Sequence, residues 1–482
     1  MALNGFYFWV IFPILFLSYW LIPSDLGGGK FRSWYLVIVS YLLYMTWKPA
    51  FALILLYVTA VTFYGSLSLY SVDNDRKKRR KRLIFILTIL CILPLLIFKY
   101  YNFINESITF MLGHIGLAFD LPGLNWALPV GISFFTFQAL GYMFDVYRGS
   151  ERPEHNFVDY ALFCSFFPQI ASGPISTASE LLPQIKSEKK FIFENGVQGL
   201  KWVLWGIFLK CVVADRLGLY VDTVMSNYSH FSGINCMWAA ILFSIQIYSD
   251  FAGYSLMSIG VAKTLGFDLI NNFRQPYFAE SVTQFWRRWH ISLTRWLTKH
   301  VYIPLGGSRR SKPRQYTNIM VTFLVSGLWH GANVTFIVWG GIHGVCQSAE
   351  KMLGLDPKGR HNSNRWLLKA KPLRIIITFL VVTFAWIFFR MPTIGEACDF
   401  ISHIFTDHRA QAFMYKASNS DKLFTFLAIF LLFIAELRAE YLRERLGWLN
   451  SSWVRWLIYV ALFCIILCIG VLDTSSFIYA NF

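Results

Sequence analysis

Apolar residues along this chain gather into long runs separated by short polar connections. Runs can be drawn at about 6–22, 34–47, 51–70, 83–98, 127–147, 195–215, 235–262, 317–329, 334–352, 374–391, 422–437 and 456–472. Most are longer than a soluble core helix needs and approach the roughly 20 residues that cross a bilayer as a helix. The pattern predicts an all-α polytopic membrane protein. Two stretches, 99–119 and 156–170, are ambiguous, and the second contains Pro168, which suggests a re-entrant or interfacial piece.

One pair of runs is unusual. Residues 317–329 form a short apolar helix that runs into Trp329-His330-Gly331, and a second helix resumes near Asn333. A helix of about 13 residues rises only ~20 Å, against ~30 Å of hydrocarbon. His330 is therefore expected inside the membrane, where two partial helices meet. Irregular backbone at that depth is tolerated only within protein or along a watery cavity. An ionisable residue there marks a functional site by default. A buried histidine that merely helps to end a helix fits the same pattern. Gly327 and Gly331 flank the Leu-Trp-His core and permit close helix approach or a sharp turn.

Composition agrees with the runs. Of the 482 residues, 56% are hydrophobic and only 15% charged. The net charge of +17 is held in blocks between runs, which fits cytoplasmic loops and excludes a nucleic-acid surface. Residues 76–82 read Arg-Lys-Lys-Arg-Arg-Lys-Arg, eight Lys/Arg and no acid fall between 281 and 315, and six more lie between 358 and 374. A last block, Arg438, Arg443, Arg445 and Arg455, is diluted by acids. With twelve spans all four blocks share one side, which predicts an N-out, C-out protein of the cytoplasmic (inner) membrane. The first run has no basic residue before it and reads as a retained span. Eight scattered cysteines form no CxxC pair, so neither a disulfide framework nor a metal site is expected. No repeat or second soluble domain is visible, and residues 1–482 are expected to form one domain, with a motif core at about 127–350 and the final spans and an aromatic tail at 374–482.

Four further stretches can carry chemistry. In residues 284–296, Phe285, Trp289 and Trp296 fall near one helical face beside Arg287, Arg288 and His290; an interfacial anchor explains them as well as a site does. Gly306 and Gly307, followed by Arg309, Arg310 and Lys312, make a flexible basic loop suited to phosphates or an acidic carrier, although positive-inside bias alone would place it there. Asp145 and Asp250 are acids at membrane depth. They need a partner, in a structural ion pair or as orienting groups for a histidine. The sequence closes on Ser476-Phe-Ile-Tyr-Ala-Asn-Phe482, which by itself reads as an interfacial aromatic belt.

Taken together, these stretches resemble the membrane-bound O-acyltransferase (MBOAT) family, in its bacterial branch of alginate O-acetyltransferases, peptidoglycan O-acetyltransferases and the teichoic-acid D-alanylation protein. The resemblance runs in order through Pro129-Val-Gly-Ile-Ser-Phe-Phe-Thr-Phe-Gln138, Asp250-Phe-Ala-Gly-Tyr-Ser255, Phe285-Trp-Arg-Arg-Trp-His-Ile-Ser-Leu293, Tyr302-Ile-Pro-Leu-Gly-Gly-Ser-Arg309 and Gly327-Leu-Trp-His-Gly331. It implies a ring of tilted helices around a thinned centre with a tunnel. It also implies that His330 is the catalytic histidine, with His290 as its second histidine. The aromatic tail is similar to a C-terminal motif of this branch, which would place Tyr479 at the outer mouth to receive or position an acyl group. Two departures stand out. Leu256 occupies the place of a frequent second acid, and Lys299-His300 precedes Val-Tyr-Ile-Pro where an acidic or tyrosyl pair is usual.

These observations together point to an O-acyltransferase that moves acetyl from a cytosolic donor, acetyl-CoA, towards an extracytoplasmic polysaccharide. No permanently bound cofactor is expected. Arg287, Arg288, Gly306, Gly307 and Arg309 are expected to bind the donor, and the resemblance implies an extracytoplasmic SGNH-type transferase or other glycan-modifying partner. D-alanyl transfer from a carrier protein is the nearest alternative. A transporter or channel for an acyl-bearing or anionic solute is the alternative of another class, because broken helices and a midplane histidine suit it too.

Overall fold

A computed structural model of the protein describes residues 3, 5–23, 29–73, 75–117, 121–355, 370–442, 451–471 and 478. Among these the ordered elements are all helical, and each of the twelve apolar runs falls on a helix. Among the described residues, five helices are long and apolar enough to cross a membrane: Pro49–Ser71, Lys77–His114, Phe193–Ser226, Lys371–Arg390 and Ser452–Ile469. Of the ambiguous stretch 99–119, residues 99–114 belong to the second of these, which continues through a π-helical turn at Leu96–Tyr100.

The chain divides into two compact units. The first takes in Met1–Leu200 and Ser258–Ile270. It carries α1 (Phe6–Leu21), α2 (Lys30–Met45), α3 (Pro49–Ser71), α4 (Lys77–His114), α5 (Ile132–Arg148), α6 (Phe157–Ser165) and α7 (Ala178–Lys186). Helix α6 is short because Pro168 disfavours helical backbone in the residue before it. Beyond it the chain runs as buried turns through Ile175. Side chains satisfy that irregular backbone: the Phe167 N–H donates to Ser40 Oγ (3.1 Å), and the Ser176 N–H to Gln138 Oε1 (3.3 Å). Buried peptide groups require such partners where no water reaches.

The second unit takes in Lys201–Met257 and Asn271–Tyr479. It holds most of α8 (Phe193–Ser226) and α9 (Gly233–Thr264), then α10 (Val282–Trp286), α11 (Ile291–Leu297), α12 (Lys312–His330), α13 (Val334–Met352), α14 (Lys371–Arg390), α15 (Ile394–Thr406), α16 (Asn419–Leu437) and α17 (Ser452–Ile469). Helix α12 corrects the sequence reading. It has 19 residues, because Pro313 at its first turn presets the backbone and the polar residues up to Tyr316 join the helix. Only its apolar part is short.

Helices α12 and α13 form a close antiparallel pair. A Cβ on Gly327 would stand 2.3 Å from the Phe336 carbonyl oxygen, and one on Gly340 would stand 2.3 Å from that of Phe323. Small residues at both crossing points let the two backbones touch. Helix α14 packs against α13 and adds Trp386 and Phe389 to an aromatic core that includes Trp289 and Trp339.

Candidate active site

His330 is the last residue of α12, and it is 2% exposed. Gly331 leaves the helix in extended backbone (φ −162°), and Asn333 restarts it as the cap of α13, its side chain accepting from the Thr335 N–H (3.0 Å). The break foreseen between two helices is therefore present. Gly331 is required for space rather than for backbone freedom, since any residue adopts that φ, while an added Cβ would lie 2.0 Å from the Phe336 ring.

The tautomer of His330 follows from its partner. Nδ1 lies 2.7 Å from the Ser326 carbonyl oxygen, which can only accept, so Nδ1 carries the proton and Nε2 presents the lone pair. Trp329, Trp339 and Phe389 pack edge-on around the ring, at 4.8, 4.7 and 5.7 Å.

His290 sits on the other side of Trp329, with ring centroids 5.7 Å apart, and is fully buried. The continuous amphipathic helix expected over 284–296 is absent: His290 adopts left-handed backbone (φ +43°, ψ 56°) and separates α10 from α11. Such a conformation is uncommon in residues other than glycine and must be held by surrounding structure. Asn272 provides that hold. Its Oδ1 accepts from the Ser292 N–H (3.1 Å) and Oγ (2.8 Å) and lies 3.3 Å from His290 Nδ1, while its carbonyl accepts from the Ile291 N–H (2.9 Å). As with His330, the proton rests on Nδ1. Of the three aromatics on the expected face, Phe285 and Trp289 are core residues of the unit and so are not an interfacial anchor, while Trp296 is half-buried.

The same unit holds a cavity of about 190 Å³, lined by Thr283, Trp286, Arg287, Phe323, Ser326 and Lys351 among others and by neither histidine. Its wall includes Ser326, the residue that fixes the His330 ring. The donor-binding residues expected from sequence are divided by the structure. Arg287 lines this cavity. Its neighbour Arg288 turns to Glu440 in a two-pronged ion pair (3.0 and 3.1 Å) and to the Gln275 carbonyl. Gly306 and Gly307 adopt positive φ (+111° and +55°) in the turn before α12, and the Gly307 carbonyl accepts from Asn318 Nδ2 (3.1 Å). Arg309 is exposed.

The buried acid Asp250 serves neither histidine; its ion-pair partner is Lys210, 2.7 Å away. Lys210 escaped the sequence reading, although a lysine deep in the apolar run 195–215 was a usable signal. Asn272 also escaped it, and nothing in the local sequence marks it. Tyr479 lies outside the described residues. No group of three or more metal-ligating side chains occurs among the described residues.

Two buried histidines in an apolar helical unit, with a cavity lined in part by Arg287 and Lys351, fit the class that the sequence motifs resemble, and comparison with known proteins gives the same one. The chain matches the MBOAT, membrane-bound O-acyltransferase family, over residues 148–392. It belongs to that family: it is an O-acyltransferase and a multi-pass inner-membrane protein, which sets aside the transporter reading. It is similar to the probable alginate O-acetylase AlgI of Pseudomonas aeruginosa, at 35% identity over 80% of this chain and 72% of that protein. It is likewise similar to the peptidoglycan O-acetyltransferase of Helicobacter pylori, at 29% identity over 98% and 95% of the two chains. A more distant relative is the teichoic acid D-alanyltransferase of Bacillus subtilis, 24% identical over 80% of this chain.

Proposed function

We propose that this protein moves acetyl from cytosolic acetyl-CoA to a hydroxyl destined for an extracytoplasmic polysaccharide, with His330 as the base. The observation that carries the reading is the Ser326 carbonyl. It holds the His330 proton on Nδ1, which leaves Nε2 as the basic nitrogen of the ring, and belongs to a residue of the cavity wall. In the reaction Nε2 takes the hydroxyl proton as the oxygen attacks the thioester carbonyl. Collapse of the tetrahedral adduct breaks the C–S bond, and the proton passes to the departing thiolate, leaving an ester and free thiol. General-base help of this kind contributes about 10²–10⁴ in rate. A dry aromatic surround keeps water from the thioester.

In this reading His290 is the second histidine of the site. Arg287, with Lys351 beside it, receives the donor's anionic part, and Gly306, Gly307 and Arg309 shape the approach. Tyr479 accepts or positions the acyl group on the outer side. Residues 1–482 act as one functional domain, oriented N-out and C-out, and an SGNH-type transferase completes delivery to the glycan. D-alanyl transfer from a carrier protein is the weaker reading, because the D-alanylating relatives are the more distant ones.

The test is release of free thiol from acetyl-CoA by purified protein in vesicles, with acceptor and partner supplied. His330→Ala is expected to abolish turnover in a protein that still folds, and Tyr479→Phe to abolish transfer if the tyrosyl oxygen is the relay. Full turnover by folded His330→Ala would overturn the mechanism.

A further inference from the structure

Within the second unit, α8 and α9 meet at two glycines. A Cβ on Gly206 would lie 2.6 Å from the Gly253 carbonyl oxygen, and one on Gly253 would lie 2.7 Å from that of Gly206. One helical turn beyond Gly206 stands Lys210, and nearly one turn before Gly253 stands Asp250, so backbone contact brings these side chains together. Lys210 Nζ is 2.7 Å from Asp250 Oδ1 and 2.6 Å from Asp215 Oδ1, with side-chain exposures of 1%, 1% and 7%. One cation against two carboxylates leaves a formal negative charge inside the protein. Such a charge is costly unless further donors reach it.

A donor does reach it, from far along the chain. The Ile478 N–H donates to Asp250 Oδ2 at 2.8 Å. A second anchor lies seven residues earlier, where the Val471 N–H donates to the Cys211 carbonyl at 3.0 Å. Cys211 belongs to the π-helical segment Phe208–Ala214 of α8. A π-helical turn shifts the usual hydrogen-bond register, and here one of its carbonyls takes a donor from outside the helix. Arg216 fixes the end of α17 nearby, donating from Nε (3.0 Å) and Nη2 to the Ile469 carbonyl. The anchors at 471 and 478 therefore both fall on the same stretch of α8 and on the acid paired with it.

We infer that the Lys210–Asp250–Asp215 cluster is a latch for residue 478, as the Cys211 carbonyl is for residue 471. Asp250 is a positioning residue: by holding residue 478 it acts on the transfer step, which rests on the role given to Tyr479 above. The π-helical turn and the buried charge have a joint purpose in this view. Each presents an acceptor that the packed helices leave for one of these two amides.

Hydrogen exchange read by mass spectrometry on the full chain, in a peptide containing residue 478, tests the latch. In the wild-type protein the Ile478 amide is expected to be protected. Asp250→Asn leaves Lys210 paired with Asp215, a formally neutral pair, but it replaces a charge-assisted acceptor by a neutral one. Exchange at Ile478 is expected to rise about 10-fold. Ile478→Pro removes the donor outright. Transfer to acceptor is expected to fall in each single variant, and the double variant is expected to fall no further, as for two halves of one interaction. Wild-type exchange in Asp250→Asn would overturn the latch, and so would losses that multiply in the double variant, as a merely structural aspartate requires. Tyr479→Phe retains both anchors, so protection of Ile478 is expected to persist in it. Normal transfer by that variant would remove the tyrosyl relay while the exchange data still decide the latch.

Discussion

Gly331→Ala tests whether the space behind the α12–α13 break holds His330 in place. The added methyl would lie 2.0 Å from one Phe336 ring carbon and 2.2 Å from another, far inside van der Waals contact. Backbone strain contributes nothing, because φ at this residue is extended. The whole cost is therefore steric and falls on Phe336. That ring is 5% exposed and packs edge-on against Phe389 at 4.9 Å, and Phe389 in turn packs against His330. Overpacking of this kind costs about 1–3 kcal/mol. A displacement of the imidazole by ~1 Å costs about 10²-fold in rate. Melting followed by tryptophan fluorescence gives the first quantity, and thiol release from acetyl-CoA in vesicles gives the second. A steric origin makes the defect repairable: Phe336→Leu in the same protein is expected to restore most of both. Gly327→Ala is the contrast, since its obstruction is the Phe336 carbonyl oxygen and no side-chain change relieves it. Wild-type melting and turnover in Gly331→Ala, or rescue of Gly327→Ala by Phe336→Leu, would refute this account.

Three other outcomes are expected. Arg287→Ala raises the KM for donor with little change in melting, whereas Arg288→Ala leaves Glu440 unpaired and lowers stability by about 1.5–3 kcal/mol without a specific KM effect; donor titrations and melts on both variants separate the two roles. Asn272→Leu releases the left-handed turn at His290 and is expected to lower kcat by ten-fold or more while donor KM moves little, as steady-state kinetics would show. In the polar connection after α15, the side chain and backbone N–H of Arg409 hold the Asp407 carboxyl down to about 2. A depressed carboxylate adds stability that is present above its unfolded value and lost as pH falls through the folded one. The melting difference between wild type and Asp407→Asn should stay constant from neutral pH down to ~4 and shrink below it; a difference already shrinking near pH 6 would contradict that assignment.

The helices were legible because each is announced by a long apolar run, and all twelve runs fall where helices stand. Their ends were less so. Helix α12 begins five residues before its apolar stretch because Pro313 and the polar turn around it suit a helix start, and hydropathy is blind to that. The stretch 284–296 misled for a different reason. It contains no glycine or proline to announce a break, and the turn at His290 is imposed by Asn272, which lies 18 residues earlier in the chain. A tertiary clamp overrides the local helical period, and no window of sequence contains both halves of it.

The site shows the same division between what ionises and what orients. His330 and His290 stood out because an imidazole among apolar residues is rare and costly. The groups that fix their tautomers did not, since one is a main-chain carbonyl and the other an amide side chain from a connecting segment. Arg287 and Arg288 looked alike in sequence, yet neighbours on a helical turn point in different directions, and one lines the cavity while the other closes an ion pair with Glu440. For Asp250 the sequence supplied the charge but not its partner. Lys210 is 40 residues away in the chain and meets Asp250 only because Gly206 and Gly253 let two helices touch. The position of an ionisable residue in a membrane protein can thus be read from its surroundings in sequence. Its role is set by which backbones small residues allow to approach, and here that contact made Asp250 the partner of Lys210 and the acceptor for the Ile478 amide instead of the partner of a histidine.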